Sequence, residues 1–218
     1  MPNSASRPVR RQPASSQLPR RPFLQTLAAA SAAPAIAAAK ALGLDGHTAA
    51  SERITMGLIG CGGHGTGWNL DRMFANSDQQ VVAVCDVDST HLAQAEQKVS
   101  AHYRGGSERA YRCATYTDFR DLINRQDIDA VHIATPDHWH VIPALMALKA
   151  GKHVICEKPL SLTLQEGRVL SDVARESGLV FQTASENRSI ESYVRMAELV
   201  KAGVFGEIKH VKIFLPPS

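Results

Sequence analysis

Two groups of residues in this 218-residue chain are of types and spacing that do chemistry. One is the run Cys156-Glu157-Lys158-Pro159-Leu160, which presents a lysine. The other, about 95 residues upstream, is the loop Gly60-Cys61-Gly62-Gly63-His64-Gly65. Its G-x-G-x-x-G spacing follows an apolar run and precedes a helical stretch, the context in which such a loop binds a dinucleotide. Gly60 allows the tight turn, Gly62 and the adjoining Gly63 keep the backbone open to the pyrophosphate, and Gly65 lets helix and strand pack closely. The helix N-terminus then faces the phosphates. Asp86 stands 21 residues after Gly65. A carboxylate there accepts the ribose hydroxyls of NAD and repels a 2′-phosphate, so NAD is expected over NADP. Asp88 reads equally well as a helix cap.

A lysine near a nicotinamide polarises a hydroxyl or carbonyl as hydride moves, or shuttles its proton. The plain alternative is a surface Lys–Glu pair. Thr135-Pro136-Asp137-His138-Trp139-His140 is a second candidate segment, at the end of another apolar run. Of its two histidines, His140 is placed ahead of His138 as a cofactor or substrate contact. Thr135 and Pro136 are assigned to the cofactor.

The elements that must position these residues alternate. Apolar runs at 54–59, 80–85, 114–116, 130–134, 153–156 and 179–182 read as strands. Between them, helices are expected at 66–74, 89–102, from 119, at 141–150 and at 164–177, the last stopped by Gly178. Pro143 fits only the first turn of its helix, where its missing N–H has no partner anyway. Continuous apolar strands between helices imply a parallel sheet covered on both faces, here a doubly wound Rossmann-type α/β fold. The crevice at the carboxyl ends of its strands would receive the ligand. Beyond it a helix at 193–202 and a further strand at 208–215 are expected, the strand as the first of another sheet.

The formal charge of +3 comes from the N-terminus. Residues 1–40 hold six basic residues and no acid, so the remainder carries 18 basic against 21 acidic residues. No basic excess supports nucleic-acid binding. Arg20-Arg21-Pro22-Phe23-Leu24-Gln25 resembles a twin-arginine export motif, followed by an alanine-rich apolar run and small residues at Ala37-Ala38-Ala39. The run is too short and too weakly apolar to span a membrane. The expected division is a signal at 1–40, a linker at 41–52, an NAD-binding domain at 53–183 and the start of a second domain at 184–218, with a periplasmic destination. Cys61, Cys85, Cys113 and Cys156 form no C-x-x-C pair, so no metal site is expected and buried free thiols are.

Taken together, the glycine loop, Thr135-Pro136 with His140, and Glu157-Lys158-Pro159-Leu160 resemble the Gfo/Idh/MocA family. So do the stretch from Gln182 to Arg188 and Gly203-Val204-Phe205-Gly206-Glu207-Ile208. The resemblance implies that Lys158 is catalytic, that Glu157 contacts the cofactor, and that Arg188 falls near the crossing into a second domain, where the family uses a basic residue. It implies a homo-oligomer when that domain is complete. The expected activity is NAD-dependent oxidation of a sugar or cyclitol hydroxyl, with Lys158 and His140 as catalytic residues. The alternatives are an NAD-dependent glycosidase of the same family and a non-catalytic nucleotide-binding remnant. The second domain is represented only by its first strand, so the sequence reads as either a fragment or a truncated relative.

Overall fold

The computed structural model describes residues 48–104 and 111–214, all of them in one compact unit. The export signal at 1–40, most of the linker, the Gly105-Gly106-Ser107 loop and Leu215 lie outside the described residues. Six strands form one sheet: β1 (Ile54–Ile59), β2 (Gln79–Cys85), β3 (Ala114–Tyr116), β4 (Ala130–Ile133), β5 (His153–Glu157) and β6 (Phe181–Ala184). All pairs are parallel and the order is β3-β2-β1-β4-β5-β6. β1 is therefore flanked by β2 on one side and β4 on the other. That reversal of strand order opens the crevice at the carboxyl ends of β1 and β4, where such sheets bind ligands.

The helices are α1 (Leu70–Phe74), α2 (Ser89–Tyr103), α3 (Phe119–Ile123), α4 (Val141–Lys149), α5 (Leu164–Ser177) and α6 (Glu191–Lys201). Both sheet faces are covered, as the continuous apolar strands require. On one face Ile59, Val131, Ile133, Val154 and Cys156 pack with Leu122, Ala144, Leu148 and Leu170. On the other, Met56, Leu58, Val81 and Val84 pack with Leu70, Met73, Ala95 and Val99.

Local chemistry sets the helix ends. Asp88 caps α2 by accepting from the N–H groups of Thr90 and His91, and Asp118 caps α3 through the Arg120 N–H. Thr163 and Glu166 form a reciprocal capping box on α5, which stops at Gly178 with φ +65°. Pro143 lies in the first turn of α4.

Two expectations differ from the structure. β6 begins two residues late, because Ser177 Oγ accepts from the Leu179 N–H and holds that residue to the helix end. Strand pairing starts only at Val154 with Phe181. The strand expected at 208–215 does not form: its described residues join no ladder, and Ile208, Val211, Ile213 and Phe214 are exposed. An apolar β-type pattern becomes a strand only against a neighbour that takes up its backbone groups. α6 buries none of its residues. Among the described residues no helix is long and apolar enough to cross a membrane.

Candidate cofactor and active site

β1 delivers the chain into the glycine loop. Gly60 has φ +96°, and a Cβ there would lie 2.5 Å from the Ala134 carbonyl carbon of the neighbouring chain segment. A Cβ on Gly65 would lie 2.1 Å from Gly60 O. Both positions exclude any side chain. Gly62 and Gly63 differ: nothing lies within 4 Å of where their Cβ atoms would be, so the middle of the loop faces open space. The Thr66 hydroxyl donates to Cys61 O at 2.6 Å and the Thr66 N–H to Gly62 O at 2.9 Å. These bonds close the loop onto the wide turn Gly65–Asn69, which leads into α1. The result is a backbone cradle at a helix start, suited to an anion.

Asp86 follows β2. Its Oδ2 accepts from the Cys61 N–H at 2.6 Å and its Oδ1 from the Asp88 N–H at 2.9 Å, so the carboxylate anchors the loop to the end of β2. Beside it is a mostly apolar cavity of about 280 Å³, whose lining includes Asp86, Val87, Phe119, Thr135, Pro136 and Trp139. Gly60 and His138 also face it. Apolar walls with a carboxylate at one edge match an adenosine, whose base is flat and whose ribose carries hydroxyl donors. The loop's open backbone and this cavity together fit a dinucleotide.

At the opposite end of the crevice Glu157, the last residue of β5, is only 5% exposed. Its Oε1 meets His64 Nε2 at 3.0 Å and lies 3.7 Å from His132 Nε2. Burial raises the Glu157 pKa, but the nearby His132 ring, the charge and hydrogen bond of His64 and the adjacent Asn69 amide outweigh it, leaving the carboxyl at about 2. Its Oε2 has no hydrogen-bond partner, nor have the buried Oε2 of Glu186, Nε2 of His132 and Nδ2 of Asn69. Ligand atoms of His64, Glu157 and Glu186 lie within 4.8 Å of one another, so among the described residues these three are placed to hold a cation. His64, His132, Asn69 and Glu186 went unassigned in the sequence. His64 had a usable signal, since it fills a variable position of the glycine motif.

Lys158 and Pro159 follow immediately, joined by a cis peptide bond. Lys158 is exposed. The lysine buried among the described residues is Lys152, immediately before β5, whose ammonium donates to Arg125 O and Ile128 O. His140 departs furthest from expectation. It is 1% exposed, with Nδ1 2.6 Å from Pro159 O and Nε2 2.8 Å from Thr135 O. Both ring nitrogens therefore face backbone carbonyls. Its ring fills the space between two turns, and the exposed His138 faces the cavity instead. Arg188 lies on the short turn Glu186–Ser189, exposed beside Tyr193 and Glu198. From the same turn Glu186 reaches the Glu157 cluster. All four cysteines are buried free thiols, and burial pushes Cys85, Cys113 and Cys156 up to about 12.

Known proteins are similar to this chain in sequence and fold. A glycosyl hydrolase family 109 protein of Shewanella sp. (strain ANA-3) is 32% identical over 162 residues, covering 73% of this chain and 34% of its own. A levoglucosan dehydrogenase of Pseudarthrobacter phenanthrenivorans is 36% identical over 92 residues, 42% of this chain and 24% of its own. Among solved structures, scyllo-inositol dehydrogenase from Lactobacillus casei, with bound NAD(H) and scyllo-inositol, aligns with a TM-score of 0.60 at 27% identity. That alignment covers 71% of this chain and 43% of that one. The chain thus spans about a third of the length of the curated relatives it matches first. Residues 54–185 match the family described as "Oxidoreductase family, NAD-binding Rossmann fold". With the strand order, the open glycine cradle and the cavity beside Asp86, this match shows that the chain belongs to the Gfo/Idh/MocA oxidoreductase family and carries its NAD-binding Rossmann fold.

Proposed function

We propose that this chain is the cofactor-binding part of an NAD-dependent oxidoreductase acting on a sugar or cyclitol hydroxyl. The observation that carries the reading is the 3.0 Å bond between His64 of the glycine loop and Glu157 of β5, which brings the nucleotide cradle to the residue preceding Lys158. Gly62 and Gly63 would hold the pyrophosphate, Asp86 the adenosine ribose, and Thr135 and Pro136 the cavity wall. Glu157 would use its unpartnered Oε2 toward the far end of the dinucleotide. Nicotinamide, when bound, supplies the hydride acceptor. Lys158, exposed at the rim, is the group to take up the hydroxyl proton at Nζ while the substrate carbon becomes a carbonyl. Scyllo-inositol in the Lactobacillus casei structure and the name of the levoglucosan dehydrogenase support a polyhydroxylated ring as substrate.

The test is Lys158→Met in the complete protein. NADH affinity is expected to stay within about twofold, because the nucleotide is held elsewhere, while turnover falls by about 10²- to 10⁴-fold, the range for losing a general acid or base. Normal turnover in the variant would take Lys158 out of the reaction.

The glycosyl hydrolase family 109 relatives favour a second reading, an NAD-dependent glycosidase in which the hydride is returned. The two readings part on net NADH: a dehydrogenase accumulates it with an excess of free polyol, whereas a glycosidase releases sugar from a glycoside and accumulates none. We also propose export by the twin-arginine route, on the strength of Arg20-Arg21 and the alanine-rich run after them. Replacing both arginines with lysine is expected to leave the protein in the cytoplasmic fraction.

A further inference from the structure

We propose that His140 is a positioning residue, whose imidazole sets the gap between the Thr135-Pro136 turn after β4 and the Lys158-Pro159 turn after β5. The importance given to the second turn rests on the reading of Lys158 above. The bridge itself does not.

The parallel ladder between β4 and β5 ends at Ile133 with Cys156. Immediately beyond it the two strands turn to different neighbours. The Ala134 N–H donates to Ile59 O of β1 at 2.8 Å, while Glu157 pairs with Ala184 of β6. Pro136 and Pro159 have no N–H to give across the gap. Among the described residues no backbone hydrogen bond joins 135–140 to 157–160.

His140 supplies what the ladder lacks. Nε2 lies 2.8 Å from Thr135 O and Nδ1 2.6 Å from Pro159 O. Both partners are carbonyl oxygens, which only accept, so the complete bridge needs an N–H on each ring nitrogen. The ring is 1% exposed, leaving no access for water to replace either bond. The bridge is also anchored from a third side. The His140 N–H donates to Asp137 O, and His140 O accepts from the Ala144 N–H in the first turn of α4. A rigid ring between two fixed acceptors therefore couples the wall of the apolar cavity, which includes Thr135 and Pro136, to the turn that carries Lys158.

Asparagine and glutamine separate the two bonds, because the Asn amide nitrogen falls near the imidazole Nδ1 position and that of Gln near Nε2. The experiment uses the full chain labelled with ¹⁵N, unmodified and as His140→Asn and His140→Gln. In the unmodified protein both His140 ring nitrogens are expected to carry slowly exchanging protons. His140→Gln, which loses the Pro159 bond, should move the amide signals of Lys158 and Leu160 and leave those of Thr135 and Asp137. His140→Asn should do the reverse. In the complete enzyme His140→Gln should lower kcat by about tenfold, the weight of one buried hydrogen bond, with little change in the KM for NAD.

A single protonated ring nitrogen in the unmodified protein overturns the proposal, as does any pattern of signals other than this crossed one. Should either variant fail to fold, the ring-proton measurement decides alone. If the unmodified complete enzyme fails to reduce NAD when supplied with polyols, the functional reading fails while the crossed pattern still stands, so the two failures are distinguishable.

Discussion

Glu157 shows how a single carboxylate is shaped by its surroundings. A buried carboxyl ordinarily rises in pKa, yet His132, His64 and Asn69 hold this one at about 2. A depressed carboxyl contributes stability above its unfolded value and loses it as pH falls through the folded value. The Glu157 contribution is therefore fully present above about pH 4.5 and disappears toward pH 2. Thermal unfolding should show unmodified protein well above Glu157→Gln at neutral pH, with the difference narrowing across that interval. Asp86 makes a second residue-level prediction. Its oxygens already hold the Cys61 and Asp88 N–H groups, so Asp86→Ala loosens the loop as well as removing the ribose acceptor. Fluorescence titration should show NADH affinity falling by about tenfold or more, and NADPH affinity by less, since only NADH loses a favourable partner. Equal losses would return Asp86 to a purely structural role.

Elements here are defined chiefly by their ends. α5 has a strongly two-sided pattern and buries only Leu170 fully, so its start depends on the Thr163–Glu166 capping box. Thr163→Ala should cost about 1 kcal/mol in denaturant unfolding, with NADH affinity unaltered, because the cap lies outside the nucleotide cradle. The same dependence on ends separates the elements that are legible in the sequence from those that are not. β1, β2, β4 and β5 are continuous apolar runs, and their boundaries come from the punctuation around them. β6 slides by two residues because its start is decided by Ser177 holding Leu179, a side-chain bond with no signature in apolar periodicity.

At the scale of the molecule, the sheet and its two cores differ in character from the C-terminal segment. From α6 onward Tyr193, Met196, Val204, Phe205, Val211, Ile213 and Phe214 are all exposed. Amide hydrogen exchange should reflect the division. Residues 208–214 lack ladder partners and should exchange rapidly, whereas β1 and β4, central in the sheet, should exchange only with global unfolding. Protection of 208–214 in the isolated chain would show that this stretch does find a partner.

The fold and the glycine loop were legible in the sequence because they depend on local rules. Alternating apolar runs and helices dictate a parallel sheet, and a glycine spacing dictates a backbone path that no side chain permits, as Gly60 and Gly65 bear out. Contacts between distant segments were not legible. His140 and His138 are two residues apart in one motif, yet the tertiary structure buries one between carbonyls and leaves the other facing the cavity. His64, His132 and Glu186 come from three separate segments and meet at Glu157 only once β4, β5 and β6 lie side by side. Sequence alone determined which backbone could form and where its glycine loop would fall, since sterics and apolar period act over neighbouring residues. Which polar side chains face that ligand, and which are consumed in holding the turns, was decided by the tertiary structure, because burial and hydrogen-bond partners are properties of the packed chain.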